Sequence, residues 1–125
     1  MKNILVIDDN EMVLSVLSER LRTSSKDWMV LTAENGKEAV RIMESVPVDL
    51  VLTDLQMPVM DGYQFLEYAR VNHPFIPIIA MTANYSAEAE CRLQSLGITQ
   101  VMEKPFSMKK LTAKIADNLH DLVHT

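Results

Sequence analysis

Ile4-Leu5-Val6-Ile7, Leu50-Val51-Leu52 and Ile78-Ile79-Ala80-Met81 are apolar at every position. Runs of this length read as strands, and a strand without polar alternation has no face to offer to water. Each must lie inside a sheet that is covered on both sides. The intervening stretches supply the cover. From Glu11 to Ser24, Val13, Val16, Leu17 and Leu21 mark one helical face. A second helix follows Asn35-Gly36 and turns Ala39, Val40 and Met43 inward, and a third, Tyr63 to Asn72, turns in Phe65, Leu66 and Ala69. Ser86 to Leu96 has the thinnest stripe, Ala89, Leu93 and Leu96, and stops at Gly97, so it is expected to be the least firmly held element. Ser107 caps a last helix lined by Met108, Leu111, Ile115 and Leu119. Trp28 to Ala33 and Val101-Met102 complete the strands, with Trp28 structural and Met43, Met81 and Met102 filling core gaps. Strand and helix thus alternate five times. Right-handed crossovers then dictate an α/β fold, a doubly wound parallel sheet with helices on both faces.

The chain of 125 residues is expected to form one domain over residues 1–125. Cys91 is the only cysteine, which excludes an internal disulfide and a zinc-type ligand spacing and suits a reducing compartment. Twelve basic against seventeen acidic residues give a net charge of −5. That balance, with no basic stripe, argues against direct nucleic-acid binding. No apolar run approaches the ~20 residues that span a bilayer. Met1-Lys2-Asn3 leads straight into a strand and not into an export signal, so a cytoplasmic protein off the membrane is expected.

Ligands of open α/β sheets bind beyond the carboxyl ends of the strands. Asp8 and Asp9 follow the first run, Asp54 the third, Thr82 the fourth and Lys104 the fifth; Glu34-Asn35-Gly36, which closes the strand from Trp28 to Ala33, reads as an ordinary turn. Singly, each has an ordinary explanation. Asp8-Asp9 suits a helix cap, Asp54 and Thr82 suit turns, and Lys104 suits solvated surface. Jointly they place three carboxylates, a hydroxyl and an ammonium on one edge. Carboxylates so grouped repel unless a cation joins them, and Mg²⁺ takes oxygen ligands of this kind. An aspartate is also a nucleophile toward phosphorus. Lys104 and Mg²⁺ would then neutralise a transferring phosphoryl group, and Thr82 would donate a hydrogen bond to it.

With these residues in place, the sequence resembles the receiver domain of two-component response regulators along essentially its whole length. The likeness rests on Ile4-Leu5-Val6-Ile7-Asp8-Asp9, on Asp54-Leu55-Gln56-Met57-Pro58-Val59-Met60-Asp61-Gly62, on Ala80-Met81-Thr82-Ala83 and on Lys104-Pro105-Phe106. It implies the flavodoxin-like strand order 2-1-3-4-5. It implies that Asp54 is the phosphoacceptor, that Asp9 ligates Mg²⁺ directly with Asp8 beside it, and that the Gln56 backbone carbonyl and Asp54 complete the metal's protein ligands. Thr82 is the hydroxyl that follows the phosphoryl group and Lys104 the lysine that contacts it, with a cis bond to Pro105. The phosphoryl group would come from a phosphohistidine on a sensor histidine kinase or phosphotransfer protein, and phosphorylation would change partner affinity. The domain would catalyse only its own aspartyl phosphorylation and dephosphorylation, so it is not otherwise an enzyme. Phosphorylation-dependent dimerisation is compatible with the family, although no specific residue here carries it. Many receivers place Tyr or Phe where this chain has Val101, so the aromatic half of the usual switch cannot operate as usual, and Val101 is expected simply to pack in its strand. Gln56 and Asn84, positions linked to phosphoaspartate lifetime, are both uncharged.

Other assignments fit less well. A Mg²⁺-dependent aspartate-nucleophile phosphatase or phosphotransferase, the main alternative, usually has a second Asp two residues after the nucleophile, where this chain has Gln56. A flavodoxin-like cofactor binder would need a phosphate-binding loop where Asp8-Asp9-Asn10-Glu11 stands. His73, His120 and His124 lack the setting of a phosphoaccepting histidine, Asp61-Gly62 shapes a loop, and Lys109, Lys110 and Lys114 form a solvated basic face.

Overall fold

The computed structural model describes residues 1–56 and 62–123, with side chains as far as Leu119 in the last helix. The elements in chain order are β1 (Lys2–Ile7), α1 (Glu11–Ser24), β2 (Trp28–Ala33), α2 (Gly36–Ser45), β3 (Leu50–Asp54), α3 (Gly62–Asn72), β4 (Ile78–Thr82), α4 (Ala87–Ser95), β5 (Gln100–Glu103) and α5 (Met108–Val123). All strand pairs are parallel, as expected from the continuous apolar runs, and the order is β2-β1-β3-β4-β5, as the resemblance to receiver domains implies. β3 and β4 are buried at all five of their positions.

The sheet separates two cores. Ile4, Val6, Leu50, Leu52, Ile79 and Met81 face α1 and α5. Leu5, Ile7, Val51, Ile78 and Ala80 face α2, α3 and the single buried leucine of α4. Alternate strand residues thus serve opposite layers. Trp28 packs on the first core and Val101 on the second; Met43, Met81 and Met102 are buried. Ser107 caps α5 by accepting the Lys110 N–H (3.1 Å). Gly97 ends α4 at φ +75°, where a side chain would be strained. The Asp61 reading and the stretch Met57 to Asp61 lie outside the described residues, as do the His120 side chain and His124.

Two details differ from the sequence-based expectation. In α1 the buried stripe is Leu14, Leu17, Ser18 and Leu21, whereas Val13 and Val16 are exposed. The true stripe contains a serine, whose hydroxyl satisfies itself on the Ser15 carbonyl (3.1 Å). The other is Asn35, which is more than a turn residue: its side chain caps α2 by accepting the Glu38 N–H (2.8 Å).

Candidate functional site

The carboxyl edge of the sheet assembles residues far apart in sequence. Asp8 follows β1 and extends its ladder by donating its N–H to the Ala33 carbonyl (3.1 Å). Its side chain is buried, with Oδ1 accepting the Asn10 N–H (3.0 Å) and Oδ2 lying 3.3 Å from Lys104 Nζ. Asp9 is exposed beside it. Neither caps α1, because Asn10 does so by accepting the N–H groups of Met12 and Val13 (3.0 and 3.2 Å). That correction leaves both aspartates available to the edge.

Asp54 ends β3, also buried. Its Oδ2 lies 3.5 Å from Lys104 Nζ and its Oδ1 accepts the Gln56 N–H (3.3 Å). Gln56 therefore meets the cluster through its amide nitrogen, next to the carbonyl assigned to a metal. Burial pushes the Asp54 carboxyl above its ordinary value of 3.8; the Lys104 ammonium pulls it down, the Asp8 charge raises it, and the Gln56 N–H opposes the rise. Lys104 is positioned through its backbone, whose N–H donates to the Thr82 carbonyl (2.7 Å), and the Lys104-Pro105 bond is cis. Thr82 ends β4, almost fully buried, and its hydroxyl accepts the Asn84 N–H (3.1 Å).

Asp8, Asp9 and Asp54 offer oxygen atoms that all lie within 4.8 Å of one another. At an effective dielectric constant near 20, unit charges this close repel by a few kcal/mol, less where Asp9 meets solvent. One ammonium cannot balance three carboxylates. An all-oxygen donor set with two uncompensated charges fits a hard divalent cation.

Two neighbouring features were not read from the sequence. Glu34, at the end of β2, has its carboxyl raised above 4.5, first by a hydrogen bond with Glu11 and then by the Glu11 charge. Its position after a strand, like that of the other edge residues, was the available signal. Met12, Val13 and Val16, all exposed, join Phe106 and Lys104 around a groove of about 640 Å³. Their departure from the buried stripe of α1 was the only trace of it.

Residues 4–116 match the family model of the response regulator receiver domain. Among curated relatives, the alkaline phosphatase synthesis transcriptional regulatory protein PhoP of Bacillus subtilis is 32% identical over 114 residues, which are 91% of this chain and 47% of that protein. The hybrid signal transduction histidine kinase D of Dictyostelium discoideum is 32% identical over 116 residues, 91% of this chain and 7% of that protein. The chain spans less than half the length of these relatives. Among solved structures, Vibrio cholerae chemotaxis protein CheY4 superposes with a TM-score of 0.87 at 28% identity, over 94% of this chain and 98% of that one. A CheY-like receiver domain protein of Methanospirillum hungatei reaches 0.90 at 26% identity, over 97% and 95%. On the match over residues 4–116, the chain belongs to the response regulator receiver domain family of two-component systems.

Proposed function

We propose that residues 1–125 act as one phosphoacceptor unit, in which Asp54 takes a phosphoryl group from a phosphohistidine of a sensor histidine kinase or phosphotransfer protein. The observation that carries this is the single ammonium of Lys104 shared between Asp8 and Asp54, 3.3 and 3.5 Å away, at the carboxyl edge of the sheet. A carboxylate oxygen of Asp54 forms the new bond to phosphorus while the bond from phosphorus to the histidine nitrogen breaks, its electron pair returning to the imidazole. The product is an aspartyl phosphate. Lys104 stabilises the phosphoryl oxygens during transfer. The Thr82 hydroxyl leaves its bond with Asn84 and donates to the phosphoryl group. Asp8, Asp9, Asp54 and the Gln56 carbonyl would hold Mg²⁺, which supplies positive charge against the phosphoryl oxygens. The groove of Met12, Val13, Val16 and Phe106 opens beside Lys104 and suits the apolar face of a partner helix carrying the phosphohistidine.

The reaction modifies this chain and turns over no other substrate. Among the described residues no helix is long and apolar enough to cross a membrane. Intact-protein mass after incubation with a small-molecule phosphodonor tests the reading. One phosphoryl group should be gained with Mg²⁺, none without it, and none in Asp54→Ala. Equal uptake by Asp54→Ala would show that Asp54 is not the acceptor. Steady turnover of a phosphomonoester would favour the phosphatase instead.

A further inference from the structure

Leu93 is the only buried residue of α4, whereas α2 and α3 bury three and four. The two ends of α4 are fastened differently. At its C-terminal end, Arg70 of α3 donates from Nε to the Leu96 carbonyl (2.9 Å), from Nη2 to the Gly97 carbonyl (2.7 Å) and from Nη1 to the Pro74 carbonyl (3.0 Å). The rigid guanidinium fork rivets this end to the body of the domain. At the N-terminal end, Ser86 bonds within the helix, accepting the Ala89 N–H (3.1 Å). The loop before it is tied to the sheet by the Asn84 N–H on the Thr82 hydroxyl.

Between the ends, Arg92 reaches across to α3, its guanidinium carbon 3.7 Å from the centroid of the Tyr63 ring. Tyr63 is firmly based. The preceding Gly62 donates its N–H to the Leu55 carbonyl (3.1 Å) and lies so close that a Cβ would come within 2.5 Å of Leu55 Cα. The ring therefore stands on backbone anchored to the strand end that carries Asp54. Val101, packed on the same side of the sheet, has no ring that could relay a movement of Thr82.

We infer that the Arg92–Tyr63 stack is a latch holding α4 against α3 in the unphosphorylated protein, and that it opens when Thr82 turns from Asn84 to the phosphoryl group. The inference rests on the assignment of Asp54 as phosphoacceptor. Once the Thr82 hydroxyl releases the Asn84 N–H, the loop of residues 83–86 loses its tie to the sheet. The Arg70 rivet keeps the far end fixed, so α4 swings about it and the guanidinium slides off the ring.

Amide hydrogen exchange over residues 87–95, with the mass of every sample recorded, tests this. Arg92→Gln keeps an extended polar side chain and removes the charge, and Tyr63→Leu removes the ring and keeps an apolar side chain. Each should speed exchange of α4 by about two- to fivefold, the size expected for one exposed cation–π contact, with β1 and β3 unchanged. Arg92→Lys, which keeps the cation, should retain most of the protection. Phosphorylation should speed α4 in the wild type by a similar factor and add nothing in Arg92→Gln. Unchanged exchange in both loss variants would overturn the latch. So would phosphorylation that speeds α4 equally in wild type and Arg92→Gln. A wild type that gains no phosphate would instead overturn the Asp54 assignment and, with it, the opening step.

Discussion

Gly62→Ala tests how tightly α3 is seated on the strand end that carries Asp54. The added Cβ would lie 2.5 Å from Leu55 Cα, 2.6 Å from the Asp54 carbonyl oxygen and 3.0 Å from the Leu55 carbonyl carbon. All three are backbone atoms, so no side chain can rotate away, and α3 or the strand end must move by about 1 Å to restore ordinary contact. Overpacking of this kind costs about 1–3 kcal/mol. The gain in helix propensity is at most about 1 kcal/mol and smaller at a first helical position, so the steric term wins. For 125 residues and an unfolding entropy of about 2.1 cal/mol/K per residue, a net loss of about 2 kcal/mol lowers Tm by about 8 °C. Calorimetry measures that shift, and the rate of phosphate uptake from a small donor should fall with it because the clash bears on the Asp54 backbone itself. Gly97→Ala is the control. At φ +75°, with only the flexible Arg70 side chain nearby, it should cost stability through backbone strain and leave uptake unchanged. A Gly62→Ala protein as stable as the wild type, with normal uptake, would refute the reasoning.

Two further outcomes are expected. Because the Asp54 carboxyl sits above 3.8, the stability that the protein has with this group protonated is lost as pH climbs from 3.8 through the raised value. Asp54→Asn should therefore melt above the wild type at pH 7 in chelator and lose that advantage below about pH 4, whereas saturating Mg²⁺ at a hundredfold its Kd, stabilising the wild type by about 2.7 kcal/mol, should narrow or reverse the gap; a mutant no more stable at pH 7 in chelator would contradict the assigned cause. Val16→Asp should slow phosphotransfer from the partner kinase at least about tenfold, the equivalent of about 1.4 kcal/mol of lost docking, and leave uptake from a small donor unchanged; loss of both rates, or of neither, would remove the groove as the docking face.

Most of the architecture is legible because burial on both faces leaves a strand no choice of residue type. β3 opens on Leu50-Val51-Leu52 and β4 is apolar up to Thr82, in keeping with their burial at every position inside the sheet. The edge residues are legible for a related reason: Asp54 and Thr82 are the polar residues at the carboxyl ends of these strands. α1 misleads because two stripes overlap in it. Val13, Val16, Leu17 and Leu21 form an apolar set, but the buried set is Leu14, Leu17, Ser18 and Leu21, and a serine that bonds its own helix hides the pattern. Which residue caps α1 is equally hidden, since Asp8, Asp9 and Asn10 all offer suitable oxygens and only the backbone path selects Asn10. The Arg70 rivet and the Arg92 stack are long-range contacts of flexible side chains, for which spacing along the chain gives no sign.

Lys104 lies 96 positions from Asp8 and 50 from Asp54. As the chain leaves the ribosome, the acidic residues therefore emerge long before their counter-charge. A sheet built only from β1, β3 and β4 would bring its carboxylates together without the Lys104 ammonium, so the half-made domain carries a repulsion of a few kcal/mol that the last strand relieves. The same repulsion that prepares the edge for a cation thus guards against premature folding. Abundant divalent cation during synthesis would relax that guard and let shorter nascent chains close their sheet.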